Sequence, residues 1–103
     1  MTRVPTREEA AWLAGIFEGE GCFSRAGSSG QNARLTMTDE DTVRRFAAML
    51  GARVRGPFLH KGREKPMWSV SFGSFEQAQA LLAYMWWGLG ARRRARAVEV
   101  LYG

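Results

Sequence analysis

The chain has one cysteine, Cys22, and one histidine, His60, among 103 residues. A lone cysteine excludes an intramolecular disulfide. One of each also excludes a transition-metal site built from Cys and His, so any metal must be a hard ion held by oxygen. Long apolar runs are missing too. The longest, Ala80 to Ala91, falls well short of the roughly 20 residues that cross a bilayer. The N-terminal apolar stretch is shorter still and lies behind Glu8 and Glu9, so no secretory leader is expected. These absences predict a protein without membrane contact, at work in the cytoplasm of a bacterial or phage host. Acidic charge is the minority sign. Lys and Arg number 15 against 10 Asp and Glu, and 13 of the 15 are arginines. Arginine's planar fork of donors suits phosphate oxygens, so the bias is compatible with a nucleic-acid partner without specifying one. Hydrophobic content of 46% is enough for a core, and the length allows one domain, 1–103, and no second.

What the chain does carry is concentrated at residues 12 to 23, WLAGIFEGEGCF. From Ala10 to Phe17 every residue is apolar or glycine. Read as a helix, the segment places Ala10, Leu13, Ile16 and Phe17 on one face, with Ala11, Gly15 and Gly19 on the opposite one, flanked by Trp12. A helix without a solvated side is normally buried all round. One face fits the chain's own core; the other, with Gly15 and Gly19 four apart, admits a second backbone. Glu18 and Glu20 follow at the helix C-terminus, where the macrodipole disfavours negative charge. No Lys or Arg lies between Arg7 and Arg25 to compensate. A divalent cation is the economical candidate.

Thr6 and Glu9 form a capping-box pattern, so the first helix is expected to start near Arg7 and to end at Gly21. Residues 22–26 and 33–38 read as strands around a turn at 27–30. Thr38 or Asp39 caps a helix carrying Val43, Phe46, Ala47 and Leu50, which stops at Gly51. Residues 52–59 and 66–72 read as a second hairpin. Ser74 caps a helix from Phe75 to about Trp87, Gly88 to Gly90 break it, and a last helix takes Arg92 to Tyr102. Helices alternating with hairpins predict an α+β domain with one antiparallel sheet, helices on one face and the other face open. On that open face Arg34, Thr36 and Thr38 share one side of a strand, Arg53 and Arg55 alternate around Val54, and Ser69 and Ser71 alternate with Trp68, Val70 and Phe72. Lys61, Arg63 and Lys65 decorate the second hairpin's connection. Such a face can be a solvated surface or can lie along a duplex and read base edges. Of Trp86 and Trp87, at least one is expected in the core.

The segment Leu13-Ala14-Gly15-Ile16-Phe17-Glu18-Gly19-Glu20-Gly21 resembles the signature motif of the LAGLIDADG homing endonucleases. The similarity extends to Gly21-Cys22-Phe23-Ser24, Thr36-Met37-Thr38-Asp39-Glu40-Asp41, Lys65-Pro66-Met67-Trp68 and Leu89-Gly90-Ala91-Arg92-Arg93-Arg94. It implies an αββαββα fold with a curved four-stranded sheet that binds DNA and helices packed on its other face. It also implies a Mg²⁺-dependent double-strand cut (Mn²⁺ being another possible ion) at the junction of two motif helices. With one motif per chain, the partner is a second copy, and the duplex target is pseudo-palindromic. The expected interface residues are Ala11, Trp12, Gly15, Glu18 and Gly19.

By the same resemblance Glu20 binds metal, with Gly19 adding close approach and a backbone carbonyl, whereas Glu18 is structural, capping or pairing with the partner helix. The family more often has Asp where Glu20 stands. Asp39 occupies the place of a solvent-orienting residue, although Asp at a helix start is also an everyday N-cap. Arg92 matches a basic residue that steadies charge on phosphate. Arg93 and Arg94 join it at a helix N-terminus, where phosphate would relieve the accumulated positive charge. Expected DNA contacts are Ser24, Arg34, Thr36, Thr38, Arg53, Arg55, Lys61, Arg63, Lys65, Ser69, Ser71, Arg93 and Arg94. The same scaffold also accommodates a non-cleaving DNA-binding regulator or a maturase bound to intron RNA. Brief hairpin loops predict a shorter DNA footprint than larger relatives have.

Overall fold

The computed structural model describes residues 4–25, 32–59, 61–62 and 64–103. The expected turn at 27–30, together with His60 and Arg63, falls outside them. The first helix, α1, runs Arg7–Glu20, and both halves of its capping box form: the Thr6 hydroxyl accepts from the Glu9 N–H, and the Glu9 carboxylate accepts from the Thr6 N–H. Gly21 ends the helix, its N–H reaching the Phe17 carbonyl, and the chain passes straight into β1, Gly21–Phe23. The strand is shorter than the sequence suggests: its ladder runs from Gly21 opposite Leu35 to Phe23 opposite Ala33, with one further bond from the Ser24 N–H to the Asn32 carbonyl.

Strand β2, Ala33–Met37, leads to α2, Glu40–Leu50, which is capped by Asp39 and closed by Gly51 in the left-handed region at φ 65°. Strands β3, Val54–Phe58, and β4, Met67–Phe72, follow. The sheet is antiparallel throughout, in the order β1-β2-β4-β3. The two hairpins are thus joined through their second strands, which puts β4 in the interior. The edge strand β3 is irregular between Arg55 and Phe58. There Gly56 has φ 126°, and a Cβ would meet the Met67 carbonyl oxygen at 2.7 Å, so glycine is required. Helix α3 takes Phe75–Met85, a 3-10 turn takes Trp86–Gly88, and α4 takes Ala91–Tyr102. The third helix ends two residues earlier than expected because the 3-10 turn already redirects the chain at Trp86.

The strand alternation divides the sheet as expected. Phe23, Ala33, Leu35, Val70 and Phe72 face the helices and are buried with Leu13, Phe17, Val43, Phe46, Leu50, Leu81 and Met85. Phe17, Phe23, Phe46 and Phe72 form a contiguous aromatic cluster, with successive ring centroids 5.0 to 6.4 Å apart, so edge and stacking geometry adds to their hydrophobic burial. The tryptophans behave as the helical spacing implies: Trp86 is half-buried against the core, and Trp87 is 87% exposed.

Candidate active site and nucleic-acid interface

On the helix-free face of the sheet, antiparallel register sets side chains in rows. Cys22, Arg34 and Ser71 are cross-strand neighbours in one row; Thr36, Ser69 and Arg55 are neighbours in the next. Cys22, Arg34 and Arg55 are exposed, and Thr36 and Ser71 are half-exposed. Ser69 is only 6% exposed. Its place on the interior strand, between Thr36 and Arg55, hems in a short side chain, so any contact it makes is subsidiary to those of its neighbours. Thr38, Arg53, Lys61 and Lys65 are exposed outside the regular strands, and Ser24 is half-exposed beyond β1. The rows form a polar, cationic strip.

Glu20 enters at one end of this sheet. Because Gly21 pairs with Leu35 and β2 then runs on toward α2, Asp39 leaves the sheet at the end where Glu20 arrives. The Glu20 carboxylate is exposed and has no hydrogen-bond or ion-pair partner among the described residues. Asp39 is committed to its cap: Oδ1 accepts from the Thr42 N–H at 3.1 Å. Arg92 is exposed and beside Arg93 and Arg96 lines a shallow depression of about 320 Å³. It, too, has no partner among the described residues.

Glu18 and Arg93 are used differently from Glu20 and Arg92. Arg93 donates from Nε and Nη2 to the Glu18 carbonyl, at 3.1 and 2.9 Å, and from Nη1 to the Gly21 carbonyl. The Glu18 carboxylate in turn accepts from the N–H of Gly90, the N-cap of α4, and stands 3.6 Å from Arg93 Nε. Both helix ends thus find a counter-charge inside the chain. The cation that the chain itself supplies at the α1 C-terminus is Arg93, which arrives from 72 residues away. The anion at the arginine-rich α4 N-terminus is Glu18, so phosphate is not needed to relieve it. Arg94 is also turned inward. Its Nε donates to the Trp86 carbonyl at 2.8 Å, and its guanidinium lies over the Trp86 and Trp87 rings. The DNA-contact expectation for Arg93 and Arg94 thus meets side chains already engaged with the protein. Local sequence carried no signal for these contacts, nor for Arg25, which donates to the Glu99 carbonyl across 74 residues.

The expected α1 interface also divides. Trp12 is half-buried, 6.3 Å from Phe46 and covered by the Arg45 guanidinium, and thus belongs mainly to the contact with α2. Glu18 is engaged with α4. Ala11, Gly15 and Gly19 are exposed, and a Cβ built on either glycine would meet nothing within 4 Å. This placement is informative. Glycine inside a helix costs roughly 0.5–1 kcal/mol relative to alanine, and within one chain no steric reason offsets that cost at Gly15 or Gly19. The close approaches α1 makes to glycines of neighbouring elements lie elsewhere, as at Gly88, where a Cβ would come within 2.4 Å of Ala14 Cβ. Beside the bare stripe lies a groove of about 430 Å³ lined by Arg7, Ala10, Ala11, Tyr84, Trp87 and Gly88.

The donor set at the end of α1 is oxygen: the Glu20 carboxylate and the Gly19 backbone carbonyl. That chemistry fits Mg²⁺ or Mn²⁺. Among the described residues, no group of three or more His, Cys, Asp and Glu side chains is gathered to hold an ion.

A family model for a LAGLIDADG-like domain matches residues 7–84. No curated protein matches the chain significantly. Among solved structures, the chain is similar to the homing endonuclease I-CvuI in complex with its target in the presence of calcium. The TM-score is 0.70 at 20% identity, covering 92% of this chain and 64% of that one. A second structure of I-CvuI, with the I-CreI target and magnesium and with the DNA not cleaved, gives a TM-score of 0.68 at the same identity and coverage. The chain thus spans about 64% of the length of these structures. The family model covers most of the chain, including the motif on α1, so the chain belongs to the LAGLIDADG family, with one motif helix among the described residues.

Proposed function

We propose that the protein is a site-specific DNA endonuclease that acts as a homodimer, cutting both strands of a pseudo-palindromic duplex with the help of Mg²⁺ or Mn²⁺. The observation that carries this reading is the Glu20 carboxylate, without a partner among the described residues, at the end of a helix face of small residues. Pairing two copies across Ala11, Gly15 and Gly19 would account for both glycines and bring two Glu20 side chains to one axis. A target with matching half-sites follows from the two-fold arrangement. The I-CvuI structures, solved on DNA with Ca or Mg, support the same partner and the same ion class.

In this reading each chain contributes distinct groups. Glu20 and the Gly19 carbonyl hold the divalent ion, which when bound supplies charge stabilisation at phosphate and lowers the pKa of water. Arg92, without a partner among the described residues, meets the negative charge that grows on the phosphate oxygens. Asp39 fixes the start of α2, and through it the end of β2. The rows Cys22–Arg34–Ser71 and Thr36–Ser69–Arg55 face the major groove. There arginine is suited to guanine edges, and serine and threonine accept or donate.

The test is plasmid cleavage with selection from a randomised target library, wild type against Glu20→Gln, with and without Mg²⁺. The wild type is expected to cut only with the ion, and Glu20→Gln to bind the selected target without cutting it. Equal cutting by both would remove Glu20 from the mechanism. Binding without cutting by the wild type would instead identify a DNA-binding regulator.

A further inference from the structure

Among the described residues, Arg93 is the side chain that holds both flanks of the Gly19-Glu20 dipeptide. Its guanidinium spans the Glu18 and Gly21 carbonyls with three donors. The first belongs to the last turn of α1, where carbonyls lack intrahelical partners; the second is the first residue of β1. Between them the backbone must change from helix to strand within one residue, since Glu20 is helical and Gly21 is extended at φ −82°, ψ 167°. That junction is where a motif carboxylate would be displaced by fraying. Gly21 itself is packed so closely on the Phe17 ring that a Cβ would lie 2.3 Å from it, so the chain is held from the core side as well. Glu18 completes the arrangement by accepting from the Gly90 N–H, which anchors the start of α4 and with it Arg93, three residues on. The two helix ends thus hold each other.

We infer that Arg93 and Glu18 are positioning residues for Glu20: their reciprocal capping of the α1 and α4 ends fixes the carboxylate's backbone, while neither touches substrate. The catalytic part of this inference rests on the proposed nuclease function; the backbone part does not. A merely structural role would lower stability everywhere alike. A positioning role loosens residues 19–21 and Gly90 first, because helix ends and junctions open locally at lower free energy than the core. It also weakens metal use more than DNA binding.

The experiment compares wild type, Arg93→Lys and Glu18→Gln as full-length, metal-free proteins by amide hydrogen exchange read by NMR. Arg93→Lys keeps the charge but cannot span both carbonyls with a planar fork. Glu18→Gln keeps an oxygen for the Gly90 N–H and loses the ion pair. Exchange at Gly21 and Gly90 is expected to rise about tenfold in Arg93→Lys and by less in Glu18→Gln, with the amides of Phe46 and Leu81 unchanged. In cleavage assays Arg93→Lys is expected to need about fivefold more Mg²⁺ for half-maximal rate, with DNA affinity in EDTA unchanged. Exchange that rises uniformly across the core, or not at all at Gly21 and Gly90, overturns the inference. So does a variant whose Mg²⁺ requirement matches wild type while the local exchange is faster. If the wild type cuts no target yet the local exchange rises as stated, the nuclease reading fails and the backbone assignment stands.

Discussion

Two regions of this molecule are rich in arginine and use it in opposite ways. At the start of α4, Arg93 and Arg94 point into the protein and donate to carbonyls at the α1–β1 junction and at the start of the 3-10 turn. On the helix-free face of the sheet, Arg34 and Arg55 are exposed, set in rows by strand register, and have no internal partners among the described residues. Net charge alone does not distinguish them. The +5 balance overstates the cation available to a duplex, because part of it neutralises helix termini. The same division separates the two motif acids. Glu18 is engaged with α4, and Glu20, two residues on, is left open.

Substitutions that set the two regions against each other give the clearest tests. The largest stability effect is expected from Arg93→Ala. Losing charge-assisted bonds to two carbonyls should cost roughly 3 kcal/mol in urea denaturation, with an unchanged m value. A stable Arg93→Ala protein with weakened DNA binding would erase the contrast. Next come Arg34→Ala and Arg55→Ala. Each is expected to weaken binding to the selected target by about 1–3 kcal/mol, to relax preference at one position of the half-site, and to leave the urea midpoint unaltered. Asp39→Ala should lower stability by about 1 kcal/mol through loss of the cap; a cleavage defect beyond that loss would give Asp39 a role at phosphate as well. The smallest effect belongs to Arg44→Ala. Its exposed pair with Glu40 at 2.7 Å contributes only about 0.3–0.5 kcal/mol by the measure of helical i,i+4 pairs.

The contrast also explains what could be read from the sequence. Helix starts were legible because their signals are local: Thr6 with Glu9, Asp39 with Thr42, and Ser74 with Gln77 sit three residues apart. The open face was legible because strand alternation has a period of two. Register then explains why Ser69 is nearly covered, since burial on an interior strand depends on neighbours that local pattern does not name. Glu18 was legible as a structural, capping acid and Arg93 only as a cation, and the partner of neither was legible, because those partners lie more than 70 residues away. The contacts of Trp12 within the chain were not legible for a related reason. Its position on the α1 helical wheel borders both faces, and only the packing of Phe46 and Arg45 decides between them.

The account turns on two α1 faces packing together, and Gly15→Leu tests this most directly. In one chain the new side chain has open space around it and replaces a helical glycine, so the melting temperature of the isolated fold should hold or rise. Sedimentation at micromolar concentration should give the wild type twice the 11.5 kDa chain mass and Gly15→Leu a single chain mass, with target cleavage lost. Two proteins of equal mass and equal activity would contradict the pairing of these helices.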